Sequence, residues 1–166
     1  MTDNRDAVRV IAGLNLTAVK YKLMVKKGWS ISKLERVELL YKRFLTLTYL
    51  YPSRTLVPNE DIDEFWHAHI LDTRRYASDM QHCLGYFLHH FPYFGLRGQD
   101  DKEEMSRTFQ ETVQLYEAEF GFGEPSYNSS ASQSDGVVCG NDGCNNRFED
   151  ADFTDVYERT RMGFAA

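Results

Sequence analysis

Residues 61–95 read DIDEFWHAHILDTRRYASDMQHCLGYFLHHFPYFG, and how this stretch is read decides the fold. The run begins as a helix. Asn59 is a good N-cap, and Glu60, Asp61 and Asp63 suit the positive first turn. That helix is expected to reach about Leu71. Asp72 or Thr73 then caps a further helix, or marks a kink, leading to Leu84 and Gly85. FLHHFPYFG follows as a compact aromatic loop or short helix.

Upstream, residues 1–12 read as a helical turn or frayed arm. From about Leu14 to Lys26, Leu16, Val19, Leu23 and Met24 fall on one helical face. Lys26 and Lys27 suit the negative helix end, and Gly28 can supply a left-handed cap. Ser32 with Glu35 reads as a capping box. From there Leu34, Val37, Tyr41, Phe44, Leu45 and Thr48 trace a helix to about Tyr51, where Pro52 stops it. Leu56 and Val57 pin a short extended connector, and Pro58 biases Val57 away from helix. Downstream, Met105, Phe109, Val113, Tyr116 and Phe120 repeat at three- and four-residue steps, which predicts another helix over residues 100–120. After Gly121 the sequence turns rich in Ser, Gly and Asn, the composition of a flexible linker, and it ends in an acidic segment. The expectation is an all-α fold. Residues 1–122 form a single compact bundle of about five helices, and residues 123–166 form a flexible polar linker and acidic tail.

Composition agrees with a folded chain. Of 166 residues, 42% are hydrophobic and 14% aromatic. No apolar run approaches the roughly 18 residues of a membrane span. The start, MTDNRDAV, lacks the apolar core of a secretory signal, so a cytoplasmic protein is expected. Residues 1–57 carry eleven Lys/Arg against four Asp/Glu, and residues 58–166 carry eight against twenty-one, giving +7 and −13 and the net −6. Such a chain is a poor nucleic-acid binder unless its basic face is concentrated. The basic residues between 20 and 43 are spread at helical spacing, which reads as a solvated face. The acidic tail is a candidate to dock on the basic half. Cys83 reads as a buried small residue. Cys139 and Cys144, in CGNDGC, have no second pair to complete a four-sulfur site.

All five histidines lie inside the quoted stretch, with Asp63 and Asp79 beside them. Asp63 and His67 are four apart and share a helical face. His67 and His69 are two apart and point roughly 200° away from one another on a regular helix. His69, Tyr76, Cys83 and His90 are spaced by seven, so His69, Tyr76, Asp79 and His90 fall on one stripe and Asp63 and His67 on another. A loop folding back against the helix can join the two. Imidazoles with a carboxylate form the donor set for iron, zinc or manganese. Asp63, His67, His69 and His90 are the candidate metal ligands. Tyr76 and Asp79 are the candidate catalytic residues, with Asp79 also a candidate carboxylate ligand and Tyr76 a proton donor or a partner to a ligand. His82 reads as a bystander. The alternative is a structural hydrogen-bond network of histidines in a non-catalytic interaction module, which binds a partner protein through FPYFG and the acidic tail. No HExxH, EF-hand loop, GxSxG, P-loop or GxGxxG is present.

The runs YKRFLTLTYLYPSRTLVPNEDIDEFWHAHILDTRRYASDM and GYFLHHFPYFG resemble the glycine-rich domain-containing protein-like family, in its bacterial branch. The likeness covers roughly residues 14–100 and rests on Asp63, Trp66, His67, His69, Tyr76, Asp79 and His90. Met80 stands where the family often has Cys, and the cysteine-bearing tail is reduced to CGNDGC. That resemblance implies a polar site and no assigned reaction. The expectation is a small metal-binding protein, with a metalloenzyme as its finer form, acting on a small-molecule substrate or a protein partner, with no nucleic acid or membrane.

Overall fold

A computed structural model describes residues 4–121. Among them it has six helices and no strand: α1 (Asn4–Ala12), α2 (Thr17–Lys27), α3 (Ile31–Leu50), α4 (Glu60–Ile70), α5 (Thr73–Leu84) and α6 (Gln99–Phe120). The fold is therefore all-α, a compact bundle. The expected linker and acidic tail, with Cys139 and Cys144, lie outside the described residues, and so does any docking of that tail.

Helix α3 is the mast of the bundle. Leu34, Val37, Leu40, Tyr41, Phe44, Leu45 and Leu47 are all buried along it. That arc is wider than the single stripe of a surface helix. Its width is explained by the neighbours: α1, α2, α4 and α6 all pack on α3, while α5 packs on α1 and α4. Each such side chain contributes about 1.5–3 kcal/mol on leaving water. The N-terminal arm is a full helix, α1, because Ile11 is completely buried and holds it to the bundle.

The helix ends follow local chemistry. Gly28 takes φ 66° and donates its N–H to Met24 O at 3.1 Å, so the left-handed cap ends α2 two residues before α3 is capped. The cap of α3 is Ser30, not a box from Ser32. Ser30 is extended, and its Oγ accepts from Lys33 N at 3.3 Å. With Ile31 already helical, Ser32 lies inside the first turn, where its hydroxyl meets Ser30 Oγ at 3.2 Å. Asn59 caps α4 as expected, its buried Oδ1 accepting from Ile62 N at 2.9 Å. The connector before it is held by Val57 N–H donating to Thr112 Oγ1 on α6 at 3.0 Å.

The basic half of the chain does not simply face solvent. Lys33 Nζ and Arg36 Nη2 of α3 reach Asp61 at 2.7 and 3.3 Å, and Lys27 reaches Glu64 at 3.1 Å. Lys20 and Lys42 both meet Glu38, at 2.5 and 2.8 Å. The acidic first turn of α4 thus answers cations of α2 and α3, and part of the charge asymmetry closes on itself. No described helix is long and apolar enough to cross a membrane.

Replacing the buried cap, Asn59→Ala, leaves the Ile62 N–H without its acceptor at the start of the helix that carries the histidines. Urea denaturation of the variant is expected to show a loss of about 1 kcal/mol. An unchanged midpoint would deny Asn59 this role.

Candidate metal centre

Helix α4 aims its two histidines at different places. His69 is wholly buried, whereas the His67 side chain is 36% exposed. This is the rotation expected of residues two apart on a helix. The set foreseen from sequence therefore divides into two groups.

The inner group centres on His69. Its Nδ1 lies 3.0 Å from Tyr41 Oη, and its Nε2 lies 3.1 Å from Asp79 Oδ2. With Asp79 ionised, Nε2–H donates to the carboxylate, and the neutral Nδ1 accepts from the Tyr41 hydroxyl. Both ring nitrogens are then engaged, and neither is free to bind an ion. Burial, and next the nearby Tyr76 and Asp79, hold the Tyr41 hydroxyl well above its usual range, so it remains a donor. The edge of Tyr76 meets the His69 ring at a centroid distance of 5.0 Å.

The outer group is Asp63, His67 and His90. After Gly85 the chain turns back over α4, and His90 Nε2 arrives 2.8 Å from Asp63 Oδ1 and 3.1 Å from His67 Nε2. Asp63 Oδ2 stands 3.6 Å from His67 Nε2. One donor atom from each residue lies within 4.8 Å of the others, and this is a group of suitable geometry for an ion among the described residues. Bonds of about 2.0–2.1 Å at angles between octahedral and tetrahedral space their donors about 2.9–3.4 Å apart. The two imidazole nitrogens, 3.1 Å apart, fall in that range, and Asp63 approaches His90 through Oδ1 and His67 through Oδ2. His90 and Asp63 side chains are 17% and 36% exposed, so one side of the group faces solvent.

Two features set the return of the loop. Tyr76 Oη donates to the Leu88 carbonyl at 2.6 Å and accepts from Trp66 Nε1 at 2.9 Å. Trp66 in turn lies edge-on to His90, with ring centroids 4.7 Å apart. Further along, Asp101 at the start of α6 accepts from Gly95 N at 2.7 Å and Arg97 N at 3.1 Å, and it pairs with the Arg97 guanidinium. Gly95 is required here: it takes φ 86°, and a Cβ would fall 2.5 Å from Met105 Sδ.

His82 and His89 are exposed and join neither group, although His89 packs against Phe87. Sequence reasoning placed Asp63, His67 and His90 in two stripes, and the fold brings them together. It placed His69, Tyr76 and Asp79 on one stripe, and they do meet, but without His90. Tyr41 and Asp101 were missed. Nothing in the local sequence announces a partner 28 residues from His69.

A family model described as UCP032817-like matches residues 15–117. No curated protein and no solved structure matches the chain. The family match replaces the resemblance to the glycine-rich domain-containing protein-like family, which the comparisons do not show. The motif residues that carried that resemblance lie within the matched span.

Tyr76 and the buried Cys83 give the core a pH dependence. Burial raises the Tyr76 hydroxyl from 10 to about 12, and burial together with the Asp79 charge raises the Cys83 thiol from 9 to about 11. The unfolded chain releases these protons first, so their contribution to stability is complete below about pH 9 and is lost between pH 9 and 12. Chemical denaturation as a function of pH should show that alkaline fall, and Cys83→Ala should remove its lower part. His69→Leu strands the Tyr41 hydroxyl and Asp79, and should cost about 2–4 kcal/mol in urea denaturation.

Proposed function

The chain belongs to the UCP032817-like family, and we propose that its role is to bind a divalent transition metal through Asp63, His67 and His90. One observation carries this reading: three donor atoms from two chain segments converge within 4.8 Å of one another on a half-exposed surface. A carboxylate and two imidazoles are the donor mix of iron, zinc and manganese sites. Three protein donors leave positions for water or substrate, which suits a metalloenzyme as well as a carrier. His69, Tyr41 and Asp79 take a different part. Their hydrogen bonds fix the register of α4 against α3 and α5, so that Asp63 and His67 present themselves on the outer face. Asp79 is thereby an orienting residue for His69. Tyr76, with its hydroxyl proton held up to about pH 12, is a hydrogen-bond donor rather than a base.

A second reading has its own support. Of the eight large hydrophobic residues exposed among those described, six lie between 71 and 96: Leu71, Tyr86, Phe87, Phe91, Tyr93 and Leu96. These exposed apolar side chains, close in sequence to His90, favour a protein partner or an apolar substrate docking beside the metal.

Elemental analysis of protein purified without added metal, with titration of Fe, Zn and Mn, tests the first reading. Stoichiometric binding is expected. Asp63→Asn, His67→Ala and His90→Ala should each weaken it by more than about a hundredfold, taking the loss of a supporting partner as the lower bound. His69→Leu should lower stability more than any of the three. No metal in the purified protein, and a melting curve unmoved by metal or chelator, would end the proposal.

A further inference from the structure

We propose that the Tyr76 hydroxyl is the positioning latch of the centre: by holding the Leu88 carbonyl and the Trp66 indole together, it delivers His90 to Asp63 and His67. This rests on the metal reading above for its purpose, but the latch itself is independent of any ion.

The argument is geometric. Asp63 and His67 are one helical turn apart on α4, so their relative position comes with the helix. His90 has no such support. It lies in a segment without regular structure between Gly85 and Gly98, whose described backbone hydrogen bonds are sparse. That segment is tied at its far end by Asp101 to Gly95 and Arg97, five and seven residues beyond His90. At its near end Gly85 closes α5, five residues before His90. Between these ties the Tyr76 side chain holds the backbone, two residues from the ligand. Tyr76 Oη donates to Leu88 O at 2.6 Å. The same oxygen accepts from Trp66 Nε1 at 2.9 Å, and Trp66 sits on α4 directly before His67. The indole then forms the wall against which the His90 ring rests, at 4.7 Å. One hydroxyl therefore joins α5, α4 and the loop at a single buried point. Tyr76 is not one of the three candidate donors; it acts through the loop.

Tyr76→Phe keeps the ring and its packing, and deletes only the hydroxyl. Backbone 15N relaxation of the full chain without metal reads the latch directly. Order parameters at Leu88 to His90 should fall in the variant, while those of α3 stay at rigid-backbone values. Titration with Zn reads the purpose, and affinity should fall about ten- to a hundredfold. A His90→Ala background separates positioning from general loosening. There the same Tyr76→Phe change should leave the residual Zn affinity unaltered, whereas a merely structural role would lower it again by the same factor. Unchanged order parameters in the loop would overturn the latch. Lower order parameters with unchanged Zn affinity would overturn its positioning role. Failure of the unaltered protein to bind any metal would instead strike the metal reading, with the relaxation result still deciding the latch. Should Tyr76→Phe fold poorly, Trp66→Phe removes the donor on the other side of the hydroxyl and is expected to reproduce the loss of loop order.

Discussion

The buried contact of His69 with Tyr41 and Asp79 fixes how α4 is turned, and the rest of the site depends on that turn. An α-helix rotates about 100° per residue, so once His69 points inward, His67 must point outward. Asp63, one turn earlier, shares the outward face. A single buried imidazole with both nitrogens satisfied thus specifies a surface some distance from itself. The same contact also crosses helices: Tyr41 belongs to the central α3, and Asp79 to α5. A polar chain in a bundle core is demanding because each member must find its partner. Here each does, and the reward is one rotational setting of α4 rather than several.

Electrostatics supports the same setting from the other side. Asp61 lies between Asp63 and the N-cap, yet it faces α3, where Lys33 and Arg36 meet it. The acidic start of α4 therefore separates by function. Asp61 is committed to fastening helices, Asp63 is left to the histidines, and Glu64 reaches Lys27 of α2. Three carboxylates within four positions point three ways, because the helix sends them there.

Much of this was legible in the residues alone. The apolar spacing of α3 and α6, the Asn59 cap, the Pro52 stop and the glycines after α2 and α5 are local signals, and local signals survive folding. The opposed directions of His67 and His69 followed from helical rotation. What the residues did not disclose is long-range. The Tyr41 partnership spans 28 positions and the return of His90 to Asp63 spans 27. The seven-residue spacing of His69, Tyr76, Cys83 and His90 invited a common stripe, but the series crosses from α4 to α5 after Ile70, and at Gly85 the helix stops and spacing no longer means direction. The shift of the α3 cap from Ser32 to Ser30 has a similar cause: both serines fit, and the choice is made by where Gly28 ends the preceding helix.

Trp66 gives the arrangement an optical side. Its indole rests edge-on against His90, while the other tryptophan with a described environment, Trp29, lies under the Lys33 ammonium. Emission from Trp66 is therefore sensitive to what approaches His90, since an open-shell ion at that range would shorten an excited indole's lifetime. The candidate centre thus has a spectroscopic gauge beside it, built from the side chain that also forms its wall.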